Sequence, residues 1–182
     1  GNVLSVFYAL YRLGYNPEII NDDSKIQDKD KLIIPGVGSA KKCIENLKKK
    51  KLDSAIKEFY EKKKPKLGIC LGVQKFCKKL YENGISEGLD IIDAEVVPFQ
   101  ESPKVHMGWT NINLEEVDKK KFNCKKDTSF YFCHSYYLNF NSKNNLKVYD
   151  LNINNHLVPA IVEKNNFLGA QFHPEKSQSN GI

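Results

Sequence analysis

The sequence predicts an α/β fold: a mostly parallel central sheet flanked by helices, with added antiparallel strands, in one domain over 1–182. Three observations predict it. The first half alternates helix-period segments with short apolar strand-length segments, the pattern of parallel strands joined by crossover helices. From Gly88 onward the chain reads almost entirely as strands. At 182 residues, 41% apolar and 27% charged, it is long enough to bury one core and too apolar to stay disordered.

Each element has its own signal. Val3, Val6, Phe7, Leu10 and Leu13 recur at helical spacing, and Gly14 supplies a stop. Short strands are expected at 17–20 and 32–34, the second closed by Pro35-Gly36. Ser39 is placed to cap a helix whose apolar face is Ala40, Cys43, Ile44 and Leu47. A second helix carries Leu52, Ala55, Ile56 and Phe59 and ends before Pro65. Residues 67–69 form a buried strand, and a helix is expected over 71–81, ended by Gly84. Further strands are expected around 91–99, 105–112, 130–138, 146–153, 158–162 and 167–172.

Composition excludes several classes of function. The net charge is +6, carried by lysine runs at 48–51, 62–64 and 119–121. These fall at expected helix ends and in loops, where lysine complements the helix dipole. No aromatic residues interleave with them, so no nucleic-acid partner is expected. No apolar run approaches the ~18 residues of a membrane span. Five irregularly spaced cysteines fit a reducing cytoplasm rather than a disulfide scaffold.

The stretch Gly68-Ile69-Cys70-Leu71-Gly72-Val73-Gln74 carries chemistry. An apolar strand runs through Gly-x-Cys-x-Gly into a helix, the layout of a nucleophile elbow with cysteine at its tip. The sharp turn crowds the backbone, hence glycine two residues to either side. The tip side chain meets a helix N-terminus, where free N–H groups favour an anionic sulfur. The N–H of Leu71 points where an oxyanion would form. Cys43 and Cys77, on expected apolar helix faces, read as structural.

A cysteine nucleophile needs a base and a group that orients the base. In Gln171-Phe172-His173-Pro174-Glu175, His173 follows a late strand and Glu175 stands two residues on, on the same side of an extended segment. His134, in Phe132-Cys133-His134-Ser135-Tyr136-Tyr137, is the competitor; His106 and His156 lack a carboxylate in a comparable pattern. Cys124, Cys133 and His134 match no common zinc spacing, so no metal site is expected.

Gly68 to Gln74 together with His173-Pro174-Glu175 resembles the class I (triad) glutamine amidotransferases. Pro35-Gly36-Val37-Gly38, Val105-His106-Met107-Gly108-Trp109, the 131–137 segment and 171–177 stand in the order of one branch, the HisH-type glutaminase subunits of imidazole glycerol phosphate synthase. The resemblance spans the whole chain. It implies Cys70 as nucleophile, His173 as base and Glu175 as its orienter, with Val37 and Leu71 supplying oxyanion-hole N–H groups. It places Gly36, Gly38, Gln74, His134, Ser135 and Tyr136 around glutamine, and Asn2, Trp109 and Lys176 toward a synthase partner; for Trp109, core packing is an equal alternative. It implies no cofactor, and a HisF-like (β/α)8 cyclase as heterodimer partner. Gly36 and Gly38 leave the Val37 peptide free to rotate, which would switch one oxyanion donor in or out.

The chain departs from the family pattern in three places. Val105 stands where the family has proline, Gly1-Asn2 matches the end of a motif that follows a first strand, and Asn180-Gly181-Ile182 precedes a closing helix. The expectation is therefore a copy trimmed of its first strand and last helix. Three other readings stay open: a paralogue feeding ammonia to a sugar amidotransferase, a catalytically silent regulatory subunit, and a cysteine peptidase. Genomic neighbours, a glutaminase assay in the complex, and peptide substrates would separate them.

Overall fold

Short apolar segments bury their two faces only by joining a sheet covered on both sides, and the chain is organised around that need. The computed structural model describes residues 2–102, 104–112, 114–124, 128–153 and 156–181. Gly1 and Ile182, which mark the expected trimming, lie outside them. The chain runs α1 (Val3–Arg12), β1 (Leu32–Ile34), α2 (Ala40–Lys49), α3 (Leu52–Glu61), β2 (Lys66–Ile69), α4 (Leu71–Gln74), β3 (Cys77–Leu80), β4 (Ser86–Glu87), β5 (Ile92–Pro98), β6 (His106–Asn111), α5 (Glu116–Lys121), β7 (Ser129–His134), β8 (Tyr136–Phe140), β9 (Lys147–Ile153), β10 (His156–Lys164) and β11 (Phe167–Ala170).

The central sheet has the order β1-β2-β11-β10-β9. β1, β2 and β11 are parallel, and β10 and β9 extend them antiparallel. Alternation sends Ile34 toward α2 and α3, where it meets Ile56, Phe59, Val73, Phe76 and Phe167 in the main core. Ile33, Leu67 and Ile69 face the other way and pack against Val6 and Leu10 of α1. A second sheet, β4-β3-β5-β8, continues the main core, and the two-stranded antiparallel sheet β6-β7 closes a third cluster around Phe130, Phe132 and Phe172.

The structure differs from the sequence expectation in several places. The helix expected over 71–81 lasts one turn. Lys75 and Phe76 give their carbonyls to the N–H groups of Leu89, Ile91 and Ile92, and Cys77 to Leu80 then pair in parallel with β5. Tertiary pairing overrides a pattern that fitted either period, because Phe76, Cys77 and Leu80 are wholly buried. Residues 17–20 form no strand. Among the described residues no strand pairs with them; together with β1 they line an apolar cleft of about 790 Å³ that also touches Val6, Phe7 and Leu10. The strand expected over 130–138 breaks at Ser135 into β7 and β8, which join different sheets. Ser39 makes no side-chain cap; the Glu82 carboxylate instead accepts from the Ala40 N–H that opens α2. Neither α5 nor β4 had a clear signal.

The tightest contact joins the elbow to β1. A Cβ on Gly72 would lie 1.8 Å from the Ile34 carbonyl oxygen, and one on Gly36 would lie 2.7 Å from the Gly72 nitrogen. Both glycines are therefore required by close approach of two backbones. Gly36→Ala thus changes packing as well as peptide freedom, whereas Gly38 has open space and φ +86°.

Gly72→Ala should cost more than about 4 kcal/mol, because backbone must move. Gly14→Ala, at φ +83° in open space, should cost about 1–2 kcal/mol. Urea unfolding of the two variants checks this ranking, and similar midpoints would refute it.

Candidate active site

β2 ends at Ile69 and α4 begins at Leu71, so Cys70 alone makes the turn. Its φ of 52° and ψ of −115° lie in a region that side-chain-bearing residues avoid, at a cost of about 1–3 kcal/mol. Hydrogen bonds on both sides hold it there. The Cys70 N–H donates to the Ala170 carbonyl at 2.7 Å, and its own carbonyl accepts from Val73 and Gln74 at 3.0 and 3.3 Å. Leu71 opens the first turn, so its N–H has no partner within the helix. The Cys70 Sγ lies 3.9 Å from the Cys133 carbonyl oxygen and 3.7 Å from Gln171 Nε2.

His173 arrives from the neighbouring strand. Its N–H donates to the Tyr131 carbonyl at 2.9 Å, which anchors it to β7. The expected extended geometry ends at His173; a 3-10 turn over Pro174–Lys176 folds Glu175 back. The carboxylate Oε1 then lies 2.9 Å from His173 Nδ1. A carboxylate accepts, so Nδ1 carries the hydrogen and Nε2 is left for Cys70. Asn2, expected at a partner interface, donates from Nδ2 to the same Oε1 at 2.8 Å, and Ser5 Oγ donates to Asn2 Oδ1. Asn2 therefore helps fix the Glu175 carboxylate.

Burial opposes charge on both members of this pair. For His173, burial pulls the pKa down, but hydrogen bonds with Cys70 and Glu175 outweigh it and raise the value to about 9. For Glu175, burial pushes up while His173 and Asn2 pull down more strongly, so the net shift is downward. The folded protein thus keeps a proton on His173 that the unfolded chain would release near 6.5. The stability this confers is complete below about pH 6.5 and is lost as pH rises through about 9.

Around the elbow the structure brings several of the expected residues together. Gln74 is buried and donates from Nε2 to the Tyr136 carbonyl at 3.0 Å and to Gln171 Oε1 at 3.1 Å. His134 is buried, with both ring nitrogens engaged inside the protein, so its ring has no free nitrogen for a ligand. Ser135 and Tyr136 lie at the break between β7 and β8, and the Ser135 carbonyl accepts from Phe99 at 3.3 Å. Val37 is partly exposed between Gly36 and Gly38. Trp109 is 48% exposed and meets Tyr131 edge-on at 5.9 Å. That places it on the outer face of the β6-β7 pair rather than in the core. Lys176 is exposed.

Two residues had no assigned role. Gln171 is 2% exposed and joins Gln74 to the sulfur. Ser177 is fully buried; its Oγ accepts from the Tyr131 N–H and donates to the His173 carbonyl, pinning the His-Pro-Glu turn. A glutamine directly following an apolar strand was the available signal for Gln171, since buried polar groups must be paired.

Cys70→Ala and Glu175→Gln should each lower the His173 titration midpoint from about 9, as each removes a group that favours the charged ring. Imidazole NMR titration reads this directly; an unchanged midpoint in both variants would contradict the assigned causes.

The chain as a whole matches known proteins. The family model for class-I glutamine amidotransferases matches residues 2–181. The chain is 44% identical to imidazole glycerol phosphate synthase subunit HisH of Carboxydothermus hydrogenoformans, over 97% of this chain and 88% of that protein. It is 40% identical to subunit HisH of Methanosarcina acetivorans, over 100% and 90%. Among solved structures, a glutamine amidotransferase superposes with a TM-score of 0.73 at 17% identity, covering 100% of this chain and 89% of that one. PurLQS from Thermotoga maritima superposes with a TM-score of 0.72 at 18% identity, covering 97% and 83%. These two likenesses concern the fold alone.

Proposed function

The chain belongs to the class-I glutamine amidotransferases, and from that membership we propose that it is the glutaminase subunit of an imidazole glycerol phosphate synthase, acting in histidine biosynthesis. The observation that carries the reading is the Cys70–His173–Glu175 alignment on a strained elbow.

The chemistry follows from the geometry. The Cys70 sulfur, as thiolate beside protonated His173, attacks the side-chain amide carbon of glutamine. The carbonyl oxygen becomes an oxyanion, received by the N–H groups of Leu71 and Val37. His173 Nε2 gives its proton to the departing nitrogen, and the C–N bond breaks to release ammonia. A glutamyl thioester remains. His173 then takes a proton from water, the hydroxide adds to the thioester carbon, and collapse returns thiolate and glutamate. Glutamine and water become glutamate and ammonia, with Glu175 holding the imidazole throughout.

Ammonia is mostly protonated at neutral pH and then has no lone pair to attack with. A docked synthase subunit would receive it before it meets bulk water. Membership of a synthase implies such a partner; we assign it as a (β/α)8 cyclase docking across Trp109 and Lys176, both exposed. Gln74, Ser135 and Tyr136, with Gly36 and Gly38, line the glutamine site in this reading. Among the described residues no helix is long and apolar enough to cross a membrane, which is compatible with a cytoplasmic enzyme.

Cys70→Ala should abolish glutamine-dependent synthesis by the complex while leaving synthesis from added ammonium salt near the wild-type rate. Loss of both would refute the division of labour. Glu175→Gln should reduce glutaminase turnover less than His173→Ala, because the carboxylate orients the ring while the imidazole moves the protons. Steady-state glutaminase assays decide the order.

A further inference from the structure

The Tyr136 carbonyl is a junction. It accepts from Gln74 Nε2 at 3.0 Å and from His134 Nδ1 at 2.8 Å, which occupies both of its lone pairs. The Gln74 side runs on to the nucleophile. Gln74 Nε2 also donates to Gln171 Oε1, so Gln171 must present its Nε2 hydrogens to the Cys70 sulfur.

The His134 side runs to strand β6. A carbonyl only accepts, so His134 Nδ1 carries a hydrogen. Burial pulls the His134 pKa down to about 4, against the opposing pull of the Tyr136 carbonyl, and the ring is neutral at pH 7. Its Nε2 is then a bare lone pair. His106 Nδ1, 3.0 Å away, must be the donor to it. His106, its own pKa lowered by burial, offers Nε2 as acceptor to the Thr110 hydroxyl at 2.8 Å. Every proton in the row is thereby assigned, and all point one way: Thr110 to His106 to His134 to the Tyr136 carbonyl. His106 and His134 are register partners across β6 and β7, and Phe132 stacks on the His106 ring at 4.6 Å. His106, Gly108 and Thr110 face inward, while Met107 and Trp109 on the same strand are exposed.

We propose that His106 is a positioning residue for the glutaminase reaction: by donating to His134 it fixes the tautomer that holds the Tyr136 carbonyl, and through Gln74 and Gln171 it sets the surroundings of the Cys70 sulfur. The inference rests on the glutaminase reading. Without the His106 hydrogen, the His134 Nε2 lone pair is buried and unpaired. The ring then relieves that state by shifting its proton or turning, and Tyr136 loses one of its two donors.

The test uses the chain in complex with its synthase subunit and compares wild type, His106→Leu and His106→Asn. The Asn amide nitrogen sits close to where Nδ1 was and still donates. His106→Leu should lower glutamine kcat/KM by about 10- to 100-fold, the effect of losing a buried hydrogen bond, with ammonia-driven synthesis unchanged. His106→Asn should stay within about threefold of wild type. Wild-type kcat/KM in His106→Leu, or an equal loss in both variants, would overturn the proposal; the second result would assign His106 to ring packing on Phe132. A wild-type complex that turns over no glutamine would instead refute the glutaminase reading. Nitrogen-15 NMR then tests the relay without turnover. His134 should be protonated at Nδ1 in wild type and His106→Asn and a mixture of tautomers in His106→Leu. Protonation of wild-type His134 at Nε2 would overturn the relay.

Discussion

The close approach of α4 to the end of β1 is the constraint on which the site depends. Gly72 lies so near the Ile34 carbonyl that no side chain fits between them. That contact lets the chain reverse over the single residue Cys70, whose backbone is strained as a result. The strain persists because the Cys70 N–H and carbonyl are both bonded to fixed partners. The Cys70 backbone is thereby fixed at the C-terminal end of β2, and its sulfur is placed within reach of Gln171 and the Cys133 carbonyl.

His173 is fixed with equal redundancy from another direction. His173 is tied to β7 through its own N–H, and Ser177 ties β7 back to the His173 carbonyl. Glu175 is held by the His173 ring and by Asn2 at the far end of the chain. Three regions distant in sequence therefore meet within one hydrogen-bond shell. Burial itself opposes charge on both groups, so the hydrogen bonds around the pair, and not its surroundings, keep the proton on His173.

A polar layer supports these two parts. Gln74, Gln171, His134, His106 and the Tyr136 carbonyl form one connected set with each hydrogen assigned. Such a set is rigid when complete and costly when one member is missing. The same inner row lies directly behind the exposed Met107 and Trp109 of β6. The face proposed to meet a partner and the His106–His134 row thus lie on one strand pair.

The sequence by itself determined the elements whose signals are local. Gly68-x-Cys70-x-Gly72 marked the elbow, because glycines on either side clear so sharp a turn, and His173-Pro174-Glu175 marked the carboxylate–imidazole pair that the fold closes. The parallel core at 32–34, 67–69 and 167–172 was equally clear from short apolar runs. Only the tertiary structure decided the rest. Residues 77–80 became a strand because β5 offered a ladder, Glu82 displaced Ser39 as cap, and Asn2 reached Glu175 across 173 positions. Gln171, Ser177 and His106 gained their hydrogen-bond partners only from segments that the fold brings together. Steric limits on the backbone act over a few residues and are written in order; hydrogen bonds between buried polar groups depend on which strands become neighbours, and that is settled only when the core closes.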